Sequence, residues 1–293
     1  MKDISAIIDK ILLASHYSEV FARFSFKKQY LEYLKQLHPD ICPHPQATEA
    51  VSKINFLKKE IEKLNDLKDD AGEMSVLNEN EMMWQGSSML LEKSYENYQK
   101  LMRLTDKASL HFQKYLPQEL YWKGKSLQLK HSEAIVPLSG LRLPEEHVTW
   151  VLSRLFEFSA WLNQIGLCHA GLNPESVAIV PKTHGIVILS FYHLSSLSRP
   201  LTTISKKYQN WYPHTVFSDK KAVPEVDLSL SQSLGIYLLG DTSGNGVKLK
   251  KTHSPELIDF LLQMHYQPYE TFDNYRKLLL KLYGKPTFHH LEL

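Results

Sequence analysis

All twelve glycines of this 293-residue chain lie at or beyond position 72, so the first seventy residues contain none. A stretch without glycine lacks the residue that most readily takes up positive φ, and helices are the simplest conformation open to it. The remainder, with its glycines, all five tryptophans and several strand-like runs, has the composition of mixed helix and sheet. This break predicts two architectures in one chain. The length agrees, since 293 residues suit about two domains that each bury a core.

Charge and cysteine content narrow the function classes. Thirty-four basic and 32 acidic side chains leave a formal charge of +2, a balance that implies no nucleic-acid partner. Cys42 and Cys168 are too few for a disulfide framework and lack the paired spacing of a metal site, which points to a reducing compartment. The first residues carry Asp3 and Asp9 inside their apolar run and do not read as a signal peptide. No uncharged apolar run reaches the ~18 residues of a membrane span. The expectation is a soluble, cytoplasmic protein with no membrane partner.

The first part reads as three amphipathic helices. Residues 4–14 place Ile7, Ile8, Ile11 and Leu12 at helical spacing. Residues 18–37 are expected to form a second helix, with Phe26, Tyr30, Tyr33, Leu34 and Leu37 on one stripe. Arg23, Lys27, Lys28 and Lys35 leave its other side basic despite Glu32. Pro39, Pro43 and Pro45 must end that helix, because proline removes amide donors and pushes the preceding residue out of the α region. Residues 46–66 then line Ala47, Ala50, Val51, Ile54, Leu57, Ile61 and Leu64 along one face. Two such helices joined by a proline-rich loop are expected to pack as an antiparallel pair.

A short helix, a basic helix, the tripeptide His38-Pro39-Asp40 and a third helix bearing Val51-Ser52-Lys53-Ile54-Asn55 together resemble the J domain of DnaJ-type co-chaperones, over residues 1–66. The tripeptide alone is a weak signal, and its place between two amphipathic helices is what makes it specific. The resemblance implies a partner, a DnaK-type heat-shock chaperone whose ATP hydrolysis such a domain stimulates. In that setting Pro39 stiffens the corner and Asp40 offers a carboxylate to a partner's arginine. Arg23, Lys27, Lys28 and Lys35 steer an acidic surface toward His38, Pro39 and Asp40. His38, Cys42 and His44 sit in one short loop without a second cluster, and so fall short of a structural zinc site.

Residues 67–81, polar and acidic, read as a linker. Beyond them the pattern alternates. Residues 88–91 and 127–136 are strand-like, 95–104 helical, and 144–165 a long helix opening on Pro144 and two glutamates and closing at Gly166. The chain continues with His169-Ala170-Gly171-Leu172-Asn173-Pro174-Glu175-Ser176, two short strands and Ser190-Phe191-Tyr192. A later helical run opens at Asp227 and carries Ser233-Leu234-Gly235.

This order resembles the large lobe of a protein kinase, in which a helix leads to His-Arg-Asp-Leu-x-Pro-x-Asn, two strands and Asp-Phe-Gly. The resemblance implies a bilobal body with a reduced small lobe over 82–142 and a large lobe over 143–293. It also implies an inactive body. Gly171 stands at the catalytic aspartate, Asn173 at the accompanying lysine, Ser176 at the magnesium-binding asparagine and Ser190 at the magnesium-binding aspartate, while His169 and Asp227 keep framework positions. Phosphoryl transfer rests on metal charge and positioning, so these replacements remove its main transition-state stabilisation. Lys93 is the one lysine placed to contact phosphate at a strand end, although a surface lysine beside Glu92 fits that permissive pattern better. No catalytic residue, metal or cofactor is expected.

The expected fold class is multidomain, mainly α plus α+β, with a helical hairpin ahead of a bilobal kinase-like body. The expected function is a co-chaperone whose kinase-like part is a pseudokinase that binds an unidentified protein client. The rival readings are an atypical nucleotide-binding, kinase-like enzyme and a scaffold with a vestigial J domain.

Overall fold

The structure, a computed structural model, describes residues 4–14, 17–22, 25–38, 40–65, 67–285, 287–289 and 291. The chain divides into two compact units, residues 1–67 and 68–292. The first unit is helical and the second mixes helix with sheet.

In the first unit, α1 (Ile4–Leu13), α2 (Phe26–Leu37) and α3 (Ala47–Asn65) surround a core that includes Ile8, Ile11, Phe21, Leu37, Ile54, Leu57 and Ile61. The Tyr30 hydroxyl donates to Asn55 Oδ1 at 2.8 Å, and Lys58 lies over the Tyr30 ring. Tyr30 and Asn55 stand at similar distances from the connection between α2 and α3, which is the register of an antiparallel hairpin. The second helix is shorter than its expected span of 18–37. Tyr17, Val20 and Phe21 are buried at helical spacing from a 3₁₀ turn over Tyr17–Glu19, and so imitate the periodicity of a helix.

The second unit opens on β1 (Leu67–Asp69), β2 (Gly72–Asn78) and β3 (Glu81–Gly86). The linker expected at 67–81 is therefore a pair of strands and the turns that flank them. Its acidic and polar side chains are the outer side of β2, where Glu73 pairs with Lys68, while Met74 points inward. The turn between β1 and β2 closes on Asp69, whose Oδ1 accepts the amides of Ala71 at 2.8 Å and Gly72 at 3.1 Å. Gly72 takes φ +147° and approaches Gly86 so closely that a Cβ there would lie 2.2 Å from Gln85 O.

The chain then enters α4 (Ser88–Met102), capped by the Ser87 hydroxyl, which accepts from the Leu90 amide. The strand expected at 88–91 is thus the first turn of a helix, and Lys93 lies on that helix, half-buried, not at a strand end. After α5 (Lys107–Phe112) come β4 (Glu119–Lys123) and β5 (Ser126–Lys130). The five strands order β1-β2-β3-β5-β4, and Trp84 of β3 faces Leu127 of β5 and Met74 of β2 across the ladder. These inward residues are buried and α4 packs on β4 and β5.

The rest is mostly helical. A strand pair partner β6 (Val136–Pro137) precedes α6 (Glu145–Gln164), β7 (Leu167–Cys168), β8 (Val177–Val180), β9 (Gly185–Ile188) and β10 (Ser195–Ser196). After them come α7 (Thr215–Asp219), α8 (Pro224–Leu238), α9 (Pro255–Leu262) and α10 (Pro268–Tyr283). The helix expected at 144–165 is present, and α8 and α10 pack against it. Among the described residues, no helix is long and apolar enough to cross a membrane.

The Gly72 and Gly86 contact yields a prediction. Gly72→Ala drives a methyl group into backbone and should lower the stability of the second unit by about 1–3 kcal/mol, read as a fall in its melting temperature by circular dichroism.

Candidate functional site

Two regions carry the residues singled out in the sequence. In the first unit α2 ends at Leu37, and the His38 carbonyl accepts the amides of both Ile41 and Cys42 at 2.9 Å. Cys42 is buried, so the turn is tied to the core on one side and projects on the other. On the projecting side, the Asp40 side chain is 84% exposed and that of His38 is 52% exposed. The Asp40 amide donates to His38 Nδ1 at 3.3 Å, which requires that nitrogen to be unprotonated. Asp40 Oδ2 lies 3.5 Å from the same atom, and with 84% of its side chain exposed the carboxylate is open to another molecule. Lys27, Lys28 and Lys35 are exposed on α2, and Leu31 stands exposed between them. Arg23 and Pro39 lie outside the described residues.

In the second unit, the segment from β7 to β8 carries His169, Gly171, Asn173 and Ser176. The buried carboxylate of Asp227, near the start of α8, accepts the amides of His169 at 2.7 Å and Ala170 at 2.8 Å. Burial pushes its pKa up to about 6, against the two amides that favour the charged form. Ala170 sits at φ +56°, and its carbonyl takes the Tyr212 hydroxyl at 2.7 Å. His169 Nε2 bonds to the Ser190 carbonyl at 2.9 Å and must be the donor, while burial lowers the His169 pKa to about 3. This histidine is neutral and structural.

Position 171, where the resemblance places an aspartate, has no room for a side chain. A Cβ at that position would lie 2.2 Å from Cδ2 of His193, a buried residue whose Nδ1 bonds to the Thr203 carbonyl. The volume that an aspartate at position 171 would need is filled. Asn173 and Ser176 are equally committed to their own loop. Asn173 Oδ1 accepts the amides of Glu175 and Ser176, and the Ser176 hydroxyl accepts the Asn173 amide and donates to the Asn173 carbonyl. The Ser190 hydroxyl is buried without a partner among the described residues. A neutral hydroxyl at 176 or 190 has no charge with which to hold a divalent cation.

Several side chains that sequence reasoning passed over close this region. Ser94 Oγ of α4 accepts the Phe191 amide at 2.9 Å, and Asn97 Nδ2 donates to the Phe191 carbonyl at 2.9 Å. Both are buried polar residues on the inward stripe of Leu91, Tyr98 and Leu101, a polar interruption of an apolar face that could have marked them. The turn after β1 also reaches this segment. The Tyr192 hydroxyl hydrogen-bonds Asp69, and Asp70 Oδ2 accepts the Lys206 amide at 3.0 Å. Burial pushes Asp69 up to about 6. The buried carboxylate of Glu175 pairs with Lys207 and accepts hydroxyls from Tyr208 and Ser139. Among the described residues, no group of three or more acidic, histidine or cysteine side chains is arranged to hold a metal ion.

Two outcomes follow from this geometry. Gly171→Asp, which supplies the carboxylate that the kinase resemblance places there, should destabilise the second unit by about 1–3 kcal/mol through overpacking against His193 and yield no phosphoryl transfer, checked by thermal melting and a radiolabelled phosphate assay. Asp227→Ala leaves two buried amides without an acceptor and should cost about 2–6 kcal/mol, at ~1–3 kcal/mol for each amide, measured by urea denaturation of the full chain. Neither a scan against protein-family models nor a search of curated proteins finds a match to this chain.

Proposed function

We propose that this chain is a J-domain co-chaperone with a catalytically inactive, kinase-like second unit. The first unit recruits a DnaK-type chaperone and stimulates its ATPase, and the second binds a protein client or assembly partner and so decides where that ATPase acts. The observation that carries this reading is the exposed Asp40 carboxylate, held on a turn anchored by Cys42 at the end of a helix that exposes Lys27, Lys28 and Lys35. An anion on a fixed corner beside a cationic helix suits a partner that combines an arginine with an acidic surface.

For the second unit, support comes from the order of its elements and from the use made of each substituted position. A sheet interrupted by α4 and the short α5 between β3 and β4 precedes α6, the loop at 168–176 and two short strands. Within that frame, position 171 is packed shut, positions 173 and 176 serve the loop, and Asp227 holds the loop backbone. A binding body without its own chemistry leaves the turnover to the partner.

The test is steady-state ATP hydrolysis by a purified DnaK-type chaperone with the full chain or its Asp40→Asn form. The unaltered chain should raise the rate. Loss of the charge-assisted bond, worth about 1.5–3 kcal/mol, should raise the concentration for half-maximal stimulation by about tenfold or more. Equal hydrolysis with and without the unaltered chain would overturn the reading.

A further inference from the structure

In sequence the histidines are scattered without a motif, but the second unit gathers three of them beside a cavity of about 900 Å³ between α6 and α10. His147 lies on α6, His184 in the turn between β8 and β9, and His289 beyond α10. The His184 ring is sandwiched. It stacks on Trp150 with centroids 4.5 Å apart and planes 3° apart, and on Phe288 at 4.1 Å and 15°. His147 meets it edge-on at 5.7 Å. Trp150 Nε1 donates to His147 Nδ1 at 3.2 Å, which leaves the His147 proton on Nε2. The main chain of His289 hydrogen-bonds the His184 ring, whereas His184 Nε2 is buried without a partner among the described residues. The His184 backbone holds φ +52°, a left-handed conformation uncommon for a residue with a side chain.

We propose that the stretch carrying Phe288 and His289 is a proton-released strap, which closes over His184 while the imidazoles are neutral and lets go when His184 is protonated. Protonation gives the ring a second N–H, and Nε2 lies where no described acceptor reaches it. The neighbouring charges add to that penalty. Arg154 and His147 face the ring from α6, Arg276 and Lys277 line the same cavity from α10, and Lys285 and His289 come from the strap. Of the nearby carboxylates, Glu145 is taken by the Ser254 amide and the Tyr283 hydroxyl, while Asp273 pairs with Lys277, Glu157 with Arg154 and Glu133 with Lys182, which offsets part of those cationic charges and leaves Glu146 to favour protonation, chiefly at His147. Attraction of an imidazolium to the faces of Trp150 and Phe288 opposes release but supplies no acceptor.

Burial holds the His147 and His184 pKa values below the ordinary value; at His184 the main-chain hydrogen bond of His289 opposes this, while the charges of His147, His289 and Arg154 add to it. A histidine with a lower pKa in the closed state binds its proton more readily in the open one. Closure is therefore complete above about pH 6.5 and weakens as the pH falls below it. Release would uncover Trp150, His184 and the mouth of the cavity together.

Chymotryptic cleavage after Phe288 in the full chain tests this, with the released terminal peptide read by mass spectrometry. The rate is divided by that of a synthetic peptide of the same terminal sequence at each pH. The ratio should rise between about pH 7.5 and about pH 5.5, by at most about tenfold, one pH unit below the histidine reference value being worth a factor of ten when the closed form takes up no proton. It should stay level in His184→Phe, which keeps a ring in the sandwich and takes up no proton. Should His184→Phe lower the melting temperature, the double variant His147→Asn, His289→Asn replaces it, with a smaller rise expected. A level ratio in the unaltered chain, or an undiminished rise in a folded variant, overturns the proposal.

Discussion

The Asp227 carboxylate is the interaction on which the second unit turns. Two consecutive amides, those of His169 and Ala170, donate to it from across the fold, 58 and 57 residues away in sequence. Consecutive amides point the same way only when the chain turns sharply between them, and Ala170 takes positive φ to allow it. The turn then places Gly171 under the His193 ring and brings Asn173 and Ser176 into mutual hydrogen bonds. A loop of this kind would otherwise bury unpaired backbone groups, so the charge in the interior is matched by donors that need it.

Asp40 uses the same chemical group in the opposite way. Its carboxylate stands in solvent on a turn whose own bonds run through the His38 carbonyl and whose anchor is the buried Cys42. One aspartate satisfies its own backbone and has nothing left to offer. The other leaves its charge outside. The first unit can present it because the core of Ile8, Leu37, Ile54 and Ile61 is apolar and does not need that charge for stability.

Helices whose burial follows the local period were legible: α1, α3 and α6 lie close to where their apolar spacing places them. Misreadings arose where local pattern and burial part company. Tyr17, Val20 and Phe21 are buried from a 3₁₀ turn but spaced as on a helix. Residues 67–81 look like a linker because an edge region of sheet buries little beyond Leu67, Ala71 and Met74 and shows its polar side chains to water. Residues 88–91 are short and apolar, a run that periodicity alone does not assign, and the Ser87 cap decides for helix. Motifs drew attention to His38, Asp40, His169, Gly171 and Asp227, and the structure places the first two on an exposed turn and the others around one buried loop. Ser94, Asn97, Asp69 and His193 were not legible, since each acts on a partner remote in sequence or filled by a neighbour.

The sequence by itself determined that the chain has a glycine-free helical part and a mixed part, that Pro39, Pro43 and Pro45 break the helix before them, and that no carboxylate stands at positions 171 or 190. Those are consequences of residue identity and of dihedral limits within a few residues. Only the tertiary structure decided that His193 fills the space beside Gly171, that Asp40 faces solvent, and that Trp150, His184 and Phe288 form one stack. Contact between side chains far apart in sequence depends on how whole elements pack, and no local period encodes that distance.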